Sequence, residues 1–165
     1  MSLKSKLKAL GACKEAVEWV GDRQLSTAWS ECERGDWMLW LCARMIGEEG
    51  WPTHQEVVRV GCDCAELVLP IFERKYPEDK RVRECIEVTR KWANGEASLK
   101  DVHKARHAAY VAASDAAAYA AAYAAADVAY AAYAAAVVRL GVQKQCADIC
   151  RNRLKIPSGE GRGKG

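Results

Sequence analysis

The feature that most restricts the fold of this chain is a run of alanines. Between Ala105 and Ala136, 32 residues contain 20 of the 29 alanines, five tyrosines, and no glycine or proline. Because alanine has the highest helix propensity, this run predicts a long helix that begins near Ser98. A helix of about 34 residues would be about 51 Å long, so we expect a bend or a projecting end.

The large side chains of this helix are predicted to share one face. At about 100° per residue they fall within an arc of roughly 120°, and most of the remaining surface is alanine, which lets neighbouring backbones approach closely. This distribution is typical of a central helix wrapped by others. The members of the stripe are Asp115, Tyr119, Tyr123, Asp127, Tyr130, Tyr133 and Val137.

Helical spacing of apolar residues continues through the rest of the chain, and no period-two run predicts a strand. We expect an all-α, single-domain helical bundle of about six to seven helices over residues 1–156, followed by a flexible Gly/Lys/Arg tail over 157–165. The first three predicted helices run from Leu3 to about Gly21, from a cap at Ser26 to Glu33, and from a cap at Asp36 to a stop at Gly47. The next two run from the capping box Thr53 to Glu56 as far as Pro70, and from about Asp79 to Asn94 and Gly95. The long helix follows, and after Gly141 comes a last helix or an extension.

Charge and cysteine content restrict the partners. Residues 1–10 carry three lysines, residues 151–165 carry five basic residues and one glutamate, and the body between them has a net charge of −4. Basic residues spread over the two ends of the chain do not make a nucleic-acid surface, so no nucleic-acid partner is expected. No secretory signal or membrane span is visible, and the eight cysteines are interpreted as reduced thiols of a cytoplasmic protein.

Metal binding is not favoured. Cys62, Cys64, Cys146 and Cys150 could supply thiolates, and His103 and His107 share one helical face, but none of these spacings is specific for zinc. No Gly-rich phosphate loop is present either. We therefore expect no metal and no cofactor.

The segment from Glu33 to Trp40 concentrates aromatic and charged residues. Trp residues beside arginine and carboxylates are typical of partner hot spots and of pockets that stack a ligand. The alternative is structural: Asp36 caps a helix, the tryptophans fill the core, and Arg34 forms an ion pair. The candidate residues are Trp29, Glu33, Arg34, Asp36, Trp37 and Trp40.

The stretch Ala28-Trp-Ser-Glu-Cys-Glu-Arg-Gly-Asp-Trp-Met-Leu-Trp-Leu41 resembles the signature of a small bacterial and phage family assigned as immunity proteins of toxin systems. The resemblance extends over about residues 13–150 and includes a Cys-rich helix over 60–70, the Trp92 to Gly95 helix end, the Ala/Tyr run and Cys146 to Ile149. It implies an all-helical protein that neutralises a toxin and has no assigned catalytic motif. Gly141 and the Gly/Lys/Arg tail depart from the family pattern.

Two further sets of residues have a functional and a structural interpretation. Asp79 and Arg81 could close the Trp37 site from another helix, or could simply begin their own helix. Tyr119 and Tyr123, with Asp115 and Asp127 of the same stripe, could line a ligand cleft, or the tyrosines could form a core ladder.

These observations favour a non-enzymatic binding protein that occludes a toxin or another protein partner; its oligomeric state stays open. The alternative is a phage-type protein that sequesters a small polar or nucleotide-like molecule between helices. A deep pocket lined by Arg34, Trp37 or the tyrosine stripe would favour sequestration, and an exposed apolar patch would favour a protein partner. A helical hydrolase or transferase would instead need converging acids or a Cys/His pair with shifted pKa values in a cleft.

Overall fold

The computed structural model describes residues 1–123 and 128–158, with side chains described for residues 1–112 and 140–158. Within that part of the chain the secondary structure is entirely helical and no strand is present, which confirms the all-α prediction. None of the described helices is long and apolar enough to cross a bilayer. The helices are α1 (Leu3–Ala9), α2 (Lys14–Val20), α3 (Leu25–Glu31), α4 (Gly35–Arg44), α5 (His54–Lys75), α6 (Arg81–Ala93), α7 (Leu99–Tyr123) and α8 (Val128–Arg153).

The single helix predicted from Leu3 to about Gly21 is wrong, because the chain turns at Gly11. Gly11 has a φ of 80°, and the amides of Gly11 and Ala12 donate to the carbonyls of Lys8 (3.1 Å) and Leu7 (2.9 Å). This is a Schellman motif, which ends α1 and redirects the chain into α2. The apolar spacing continues across the break because both short helices face the same cluster of buried residues.

Two predicted helix caps are also wrong. Helix α3 begins at Leu25, and Gln24 occupies its N-cap without a side-chain hydrogen bond, so Ser26 is inside the helix. Helix α4 begins at Gly35, which places Asp36 in the first turn instead of at the cap. The Asp36 amide donates to Gln143 of α8 at 3.0 Å, so a contact with a distant helix replaces the local cap.

The capping box of α5 is confirmed: Thr53 accepts a hydrogen bond from the Glu56 amide, and the Glu56 carboxylate accepts one from the Thr53 amide. The predicted end at Pro70 is wrong, because α5 continues to Lys75. Pro70 removes one backbone hydrogen bond. Packing of α5 against α6 and α8 offsets this loss.

The end of α6 is as predicted. The Gly95 amide donates to Trp92 at 2.9 Å and the Glu96 amide donates to Lys91 at 2.8 Å, a second Schellman motif, with a φ of 81° at Gly95. The next helix, α7, packs against α6.

The alanine window is helical on both sides of residues 124–127, which lie outside the described part of the chain. Of the two alternatives left open after Gly141, the structure has the extension, since α8 passes through Gly141 and ends at Arg153. Its last turns pack against α4 and α5. The main cluster of buried residues lies at this junction and contains Cys32, Met38, Cys42, Val57, Val60, Cys64, Cys146, Ala147, Cys150 and Leu154.

Candidate functional site

An apolar groove lies between the four short helices α1 to α4. Its volume is about 540 Å³, it is partly open to solvent, and most of its lining is apolar. Half-buried tryptophans form much of the groove lining, because their indoles fill the space between short helices but keep one edge exposed. They are Trp19, Trp29, Trp37 and Trp40.

Two of these tryptophans pack against each other, and an arginine guanidinium lies over each of the two rings. The ring centroids of Trp19 and Trp37 are 6.0 Å apart, with the planes inclined at 58°. The guanidinium carbon of Arg34 lies 4.4 Å from the Trp37 centroid, and that of Arg23 lies 4.9 Å from the Trp19 centroid. Both distances are within the range of cation–π attraction, so the cations hold the indoles in place.

Arg34 and Asp36 form a forked ion pair at the rim of the groove. Arg34 donates from Nε to Oδ1 at 2.9 Å and from Nη2 to Oδ2 at 2.6 Å. Partial burial acts to raise the pKa of Asp36, but the hydrogen bonds and charge of Arg34, together with the backbone amides of Asp36 and Trp37, outweigh it, and the pKa of Asp36 lies below its ordinary value. The hydrogen bond to Asp36 raises the pKa of Arg34. The pair therefore stays charged at neutral pH.

The loop that presents this ion pair is tied to α8 by polar contacts. Gln143 accepts the Asp36 amide at 3.0 Å, and Lys144 donates to Glu33 at 2.6 Å. The Lys144–Glu33 pair is largely exposed and contributes little to stability. The hydrogen bond to Gln143 satisfies the Asp36 amide, which lies at the start of α4 and has no partner inside the helix.

A backbone contact brings α4 directly onto α8. A Cβ placed on Gly35 would lie 2.3 Å from the Cys146 Cβ and 2.8 Å from the Ala147 amide nitrogen, so only glycine allows this approach. Arg151 donates to the carbonyl oxygen of Cys32 at 2.6 Å, just before the loop. Together these contacts fix the loop, and through it the position of Trp37.

The structure brings together most of the predicted candidates from the tryptophan segment. Glu33 lies in the same loop but outside the groove lining, because it turns towards Lys144. The groove lining contains Trp29, Arg34, Asp36, Trp37 and Trp40.

Asp79 and Arg81 do not line the groove. They form their own forked pair at the start of α6, with Arg81 donating to Asp79 at 2.9 Å and 2.6 Å, and the Arg81 amide also donates to Asp79. This geometry agrees with their structural interpretation, in which they begin a helix.

The second predicted site lies outside the described side chains. The side chains of Asp115, Tyr119 and Tyr123 belong to the part of α7 beyond residue 112, and Asp127 lies in the interval 124–127. The tyrosine stripe therefore stays a prediction.

Sequence reasoning missed the part of the groove that α1 and α2 supply. Trp19 directly follows Glu18 and is adjacent to Val20, an apolar residue of the helix predicted from Leu3 to about Gly21, and Glu15 lies one turn earlier on the groove side. The available signal was a tryptophan at the edge of an amphipathic stripe. It had no sequence link to Trp37, because the contact between them crosses two helix breaks.

The cysteines are mostly buried in helix interfaces. Cys64, Cys146 and Cys150 belong to the same buried cluster, and the interaction with the Cys150 thiol and burial raise the pKa of Cys64. Burial raises the pKa of Cys42 and of Cys146 to about 12. Among the described side chains, no group of three or more histidines, cysteines or carboxylates is arranged to hold a metal ion.

Comparison with known proteins supplies a family. Neither a curated protein nor a solved structure matches the chain. A family model described as "Imm-5 like putative immunity protein" matches residues 51–154, which contain α5 to α8 and confirm the predicted resemblance. The tryptophan segment on which that resemblance chiefly rested lies outside the matched range, as do the helices that form the groove. Because the match covers more than half of the 165 residues, the chain belongs to the Imm-5 like putative immunity protein family.

Proposed function

We propose that this protein is a non-enzymatic immunity protein that neutralises a protein toxin by binding it at the tryptophan groove. Family membership supports the immunity role. The single observation that carries the choice of site is the groove itself, where four half-buried tryptophans and a forked Arg34–Asp36 pair border about 540 Å³ of mostly apolar space.

Tryptophan and arginine are the residues most enriched among energetic anchors of protein interfaces. Each indole offers a large apolar area at a small entropic cost, since only two side-chain torsions are fixed on binding. The contacts of the loop with α8 fix Trp37 and Arg34 before a partner arrives. A preorganised site loses less entropy on association than a mobile one.

Toxin neutralisation can be tested with the open reading frames that flank the gene of this chain. One of them, expressed alone, should arrest growth, and co-expression of the wild-type protein should restore it. Trp37→Ala should abolish protection, because loss of a central tryptophan anchor costs about 2–4 kcal/mol of binding, roughly a 30- to 1,000-fold loss of affinity.

Two further variants separate binding from folding. Trp92→Ala removes a half-buried tryptophan of α6 that contacts His54 and does not line the groove, and should protect normally. Cys13→Tyr adds bulk at an exposed position of the rim without disturbing the core, and should block protection. Full protection by folded Trp37→Ala and Cys13→Tyr proteins would refute the proposed site.

A second candidate is sequestration of a small polar or nucleotide-like molecule. The observation in its favour is that the cavity is lined by Arg34 and Trp37, and that its volume lies within the usual range of about 300–1,000 Å³ for ligand pockets. However, the Arg34 charge is already matched by Asp36 through two short hydrogen bonds. An anion would have to displace that carboxylate, so the protein partner is the better supported reading.

Calorimetric titration with nucleoside mono-, di- and triphosphates distinguishes the two candidates. Stoichiometric binding that is lost in both Trp37→Ala and Arg34→Ala, with no toxic neighbour gene, would favour sequestration.

A further inference from the structure

We infer that the part of the toxin that enters the groove is a cationic amphipathic helix, which inserts its apolar face and leaves its basic face at the rim. This inference rests on the function proposed above and names the chemistry of the partner. It follows from the size of the groove and from the charges around it.

The volume admits one face of a helix. Two turns of an α-helix with side chains, about 11 Å wide and about 11 Å long, occupy roughly 1,000 Å³. The groove offers about 540 Å³ and is partly open to solvent, so it admits the side chains of one face and not a whole helix. The face that enters must be apolar, because the lining consists chiefly of indole, leucine, valine and alanine surface. A helix that docks in this way presents apolar anchors at positions i, i+3, i+4 and i+7.

The charges of the groove segment determine the other face of the partner. Residues 13–36 contain three cationic and six anionic side chains, so their net charge is −3. Each of the three cations already has an acidic partner. The pairs are Lys14 with Glu18, Arg23 with Glu31, and Arg34 with Asp36.

Of the three remaining acids, Glu33 is paired with Lys144 and Asp22 lies outside the groove lining. Glu15 is exposed, lines the groove, and forms no salt bridge with any side chain in the described part of the chain, although its charge also acts on the guanidinium of Arg34. An unpaired carboxylate at the rim of an apolar groove favours a lysine or arginine on the partner and repels a partner with an acidic face.

The lysines of α1 do not reverse this preference. Helix α1 contributes Leu3 and Leu7 to the groove lining, whereas none of its lysines lines it. The ammonium group of Lys6 lies 5.6 Å from the centroid of the Trp51 ring, which is also outside the lining.

The test uses the full chain and designed peptides of about 14 residues that contain no tryptophan. The first peptide has leucines at helical i, i+3, i+4 spacing and lysines elsewhere. The second keeps the leucines and replaces every lysine with glutamate. The third has the composition of the first in an order without an apolar face. Protein tryptophan fluorescence reports binding, since four of the six tryptophans line the groove.

The leucine/lysine peptide should bind at least tenfold more tightly than either of the other two. Glu15→Lys should weaken it about 3- to 10-fold, because attraction at the rim becomes repulsion. Asp22→Lys is the matched control: it makes the same change in net charge at an exposed position just after α2, outside the groove lining, without breaking an ion pair that the structure describes, and should weaken binding less than twofold. Raising the salt from about 0.1 M to about 1 M should reduce the difference between wild type and Glu15→Lys.

Three results would overturn the inference. The leucine/glutamate peptide could bind as tightly as the leucine/lysine peptide, Glu15→Lys could bind no worse than Asp22→Lys, or none of the peptides could bind. Because Glu15 is exposed, its substitution tests the charge preference without disturbing the core.

The two proposals fail in different ways. If the peptides do not bind but Trp37→Ala still abolishes protection in cells, the proposed function stands and the helical partner is wrong. If the leucine/lysine peptide binds as expected but Trp37→Ala protects cells fully, the groove has the inferred preference and the immunity role at this site is wrong.

Discussion

Replacement of Gly35 by alanine should destabilise the protein by about 2 kcal/mol, although alanine is the better helix former. The new Cβ would lie 2.3 Å from the Cys146 Cβ, 2.8 Å from the Cys146 carbonyl carbon and 2.8 Å from the Ala147 nitrogen. Ordinary carbon contacts are about 3.5–4.0 Å long. None of the three atoms is the end of a flexible side chain, so α4 and α8 must move apart by more than about 1 Å.

The magnitude follows from two opposing effects. Overpacking of a well-packed interface costs about 1–3 kcal/mol, and the upper value applies here because the obstructing atoms belong to α8 backbone or are bound directly to it. The higher helix propensity of alanine returns about 0.5–1 kcal/mol. The net loss of about 2 kcal/mol corresponds to a fall of roughly 4–8 °C in Tm for a chain of this size.

Urea unfolding, followed by far-UV circular dichroism and by tryptophan fluorescence, measures this loss. Gly61→Ala in α5 and Gly141→Ala in α8 are matched controls, because a Cβ at either position has nothing within 4 Å. Both controls should be neutral or slightly stabilising. A Gly35→Ala protein as stable as the Gly61→Ala protein would refute the close approach of α4 to α8.

Three further predictions concern local features. Thr53→Ala should cost about 1 kcal/mol in urea unfolding because it removes the capping box of α5, whereas Ser26→Ala should change stability by less than about 0.5 kcal/mol, since Ser26 caps nothing. Asp36→Asn should lower stability by at most about 1 kcal/mol near pH 7, because the pair is more than one third exposed. The lowered pKa of Asp36 means that its stabilisation is present above about pH 4 and is lost as the pH falls through that pKa, so the two unfolding curves should converge in acid. Brief treatment with N-ethylmaleimide should modify Cys13 first and Cys85 more slowly, as mass spectrometry can show, while the six buried thiols should react only after unfolding.

Features that depend on neighbouring residues could be predicted from the sequence. The capping box at Thr53 and the helix end at Gly95 each involve hydrogen bonds across a few residues, so the residue types alone indicate the geometry. The same rules failed at Asp36. The Asp36 amide donates to Gln143, which lies 107 residues away in the sequence, and no local sequence pattern predicts that contact.

The candidate site was predicted in part for a similar reason. The sequence places Trp37 and Trp40 on one short helix and Trp29 just before it, so that half of the groove is local. The other half comes from Trp19 and Leu7, which reach the groove only because the chain turns at Gly11. Gly11 was the sequence signal for this turn. The regular spacing of the apolar residues on either side of it nevertheless predicted one continuous helix.

The contact between Gly35 and α8 also relates the groove to the family segment. The groove lining consists entirely of residues before the matched range 51–154, but α8, which holds the loop between Cys32 and Asp36, lies entirely inside it. A change within α8 at Gln143 or Cys146 can therefore shift Trp37 without touching the groove itself. Conversely, substitutions at exposed lining positions such as Cys13 and Glu15 alter the surface offered to a partner without disturbing the packing of α5, α6 and α8. If the groove binds a toxin, α5 to α8 act as the frame and the four short helices determine which toxin is recognised.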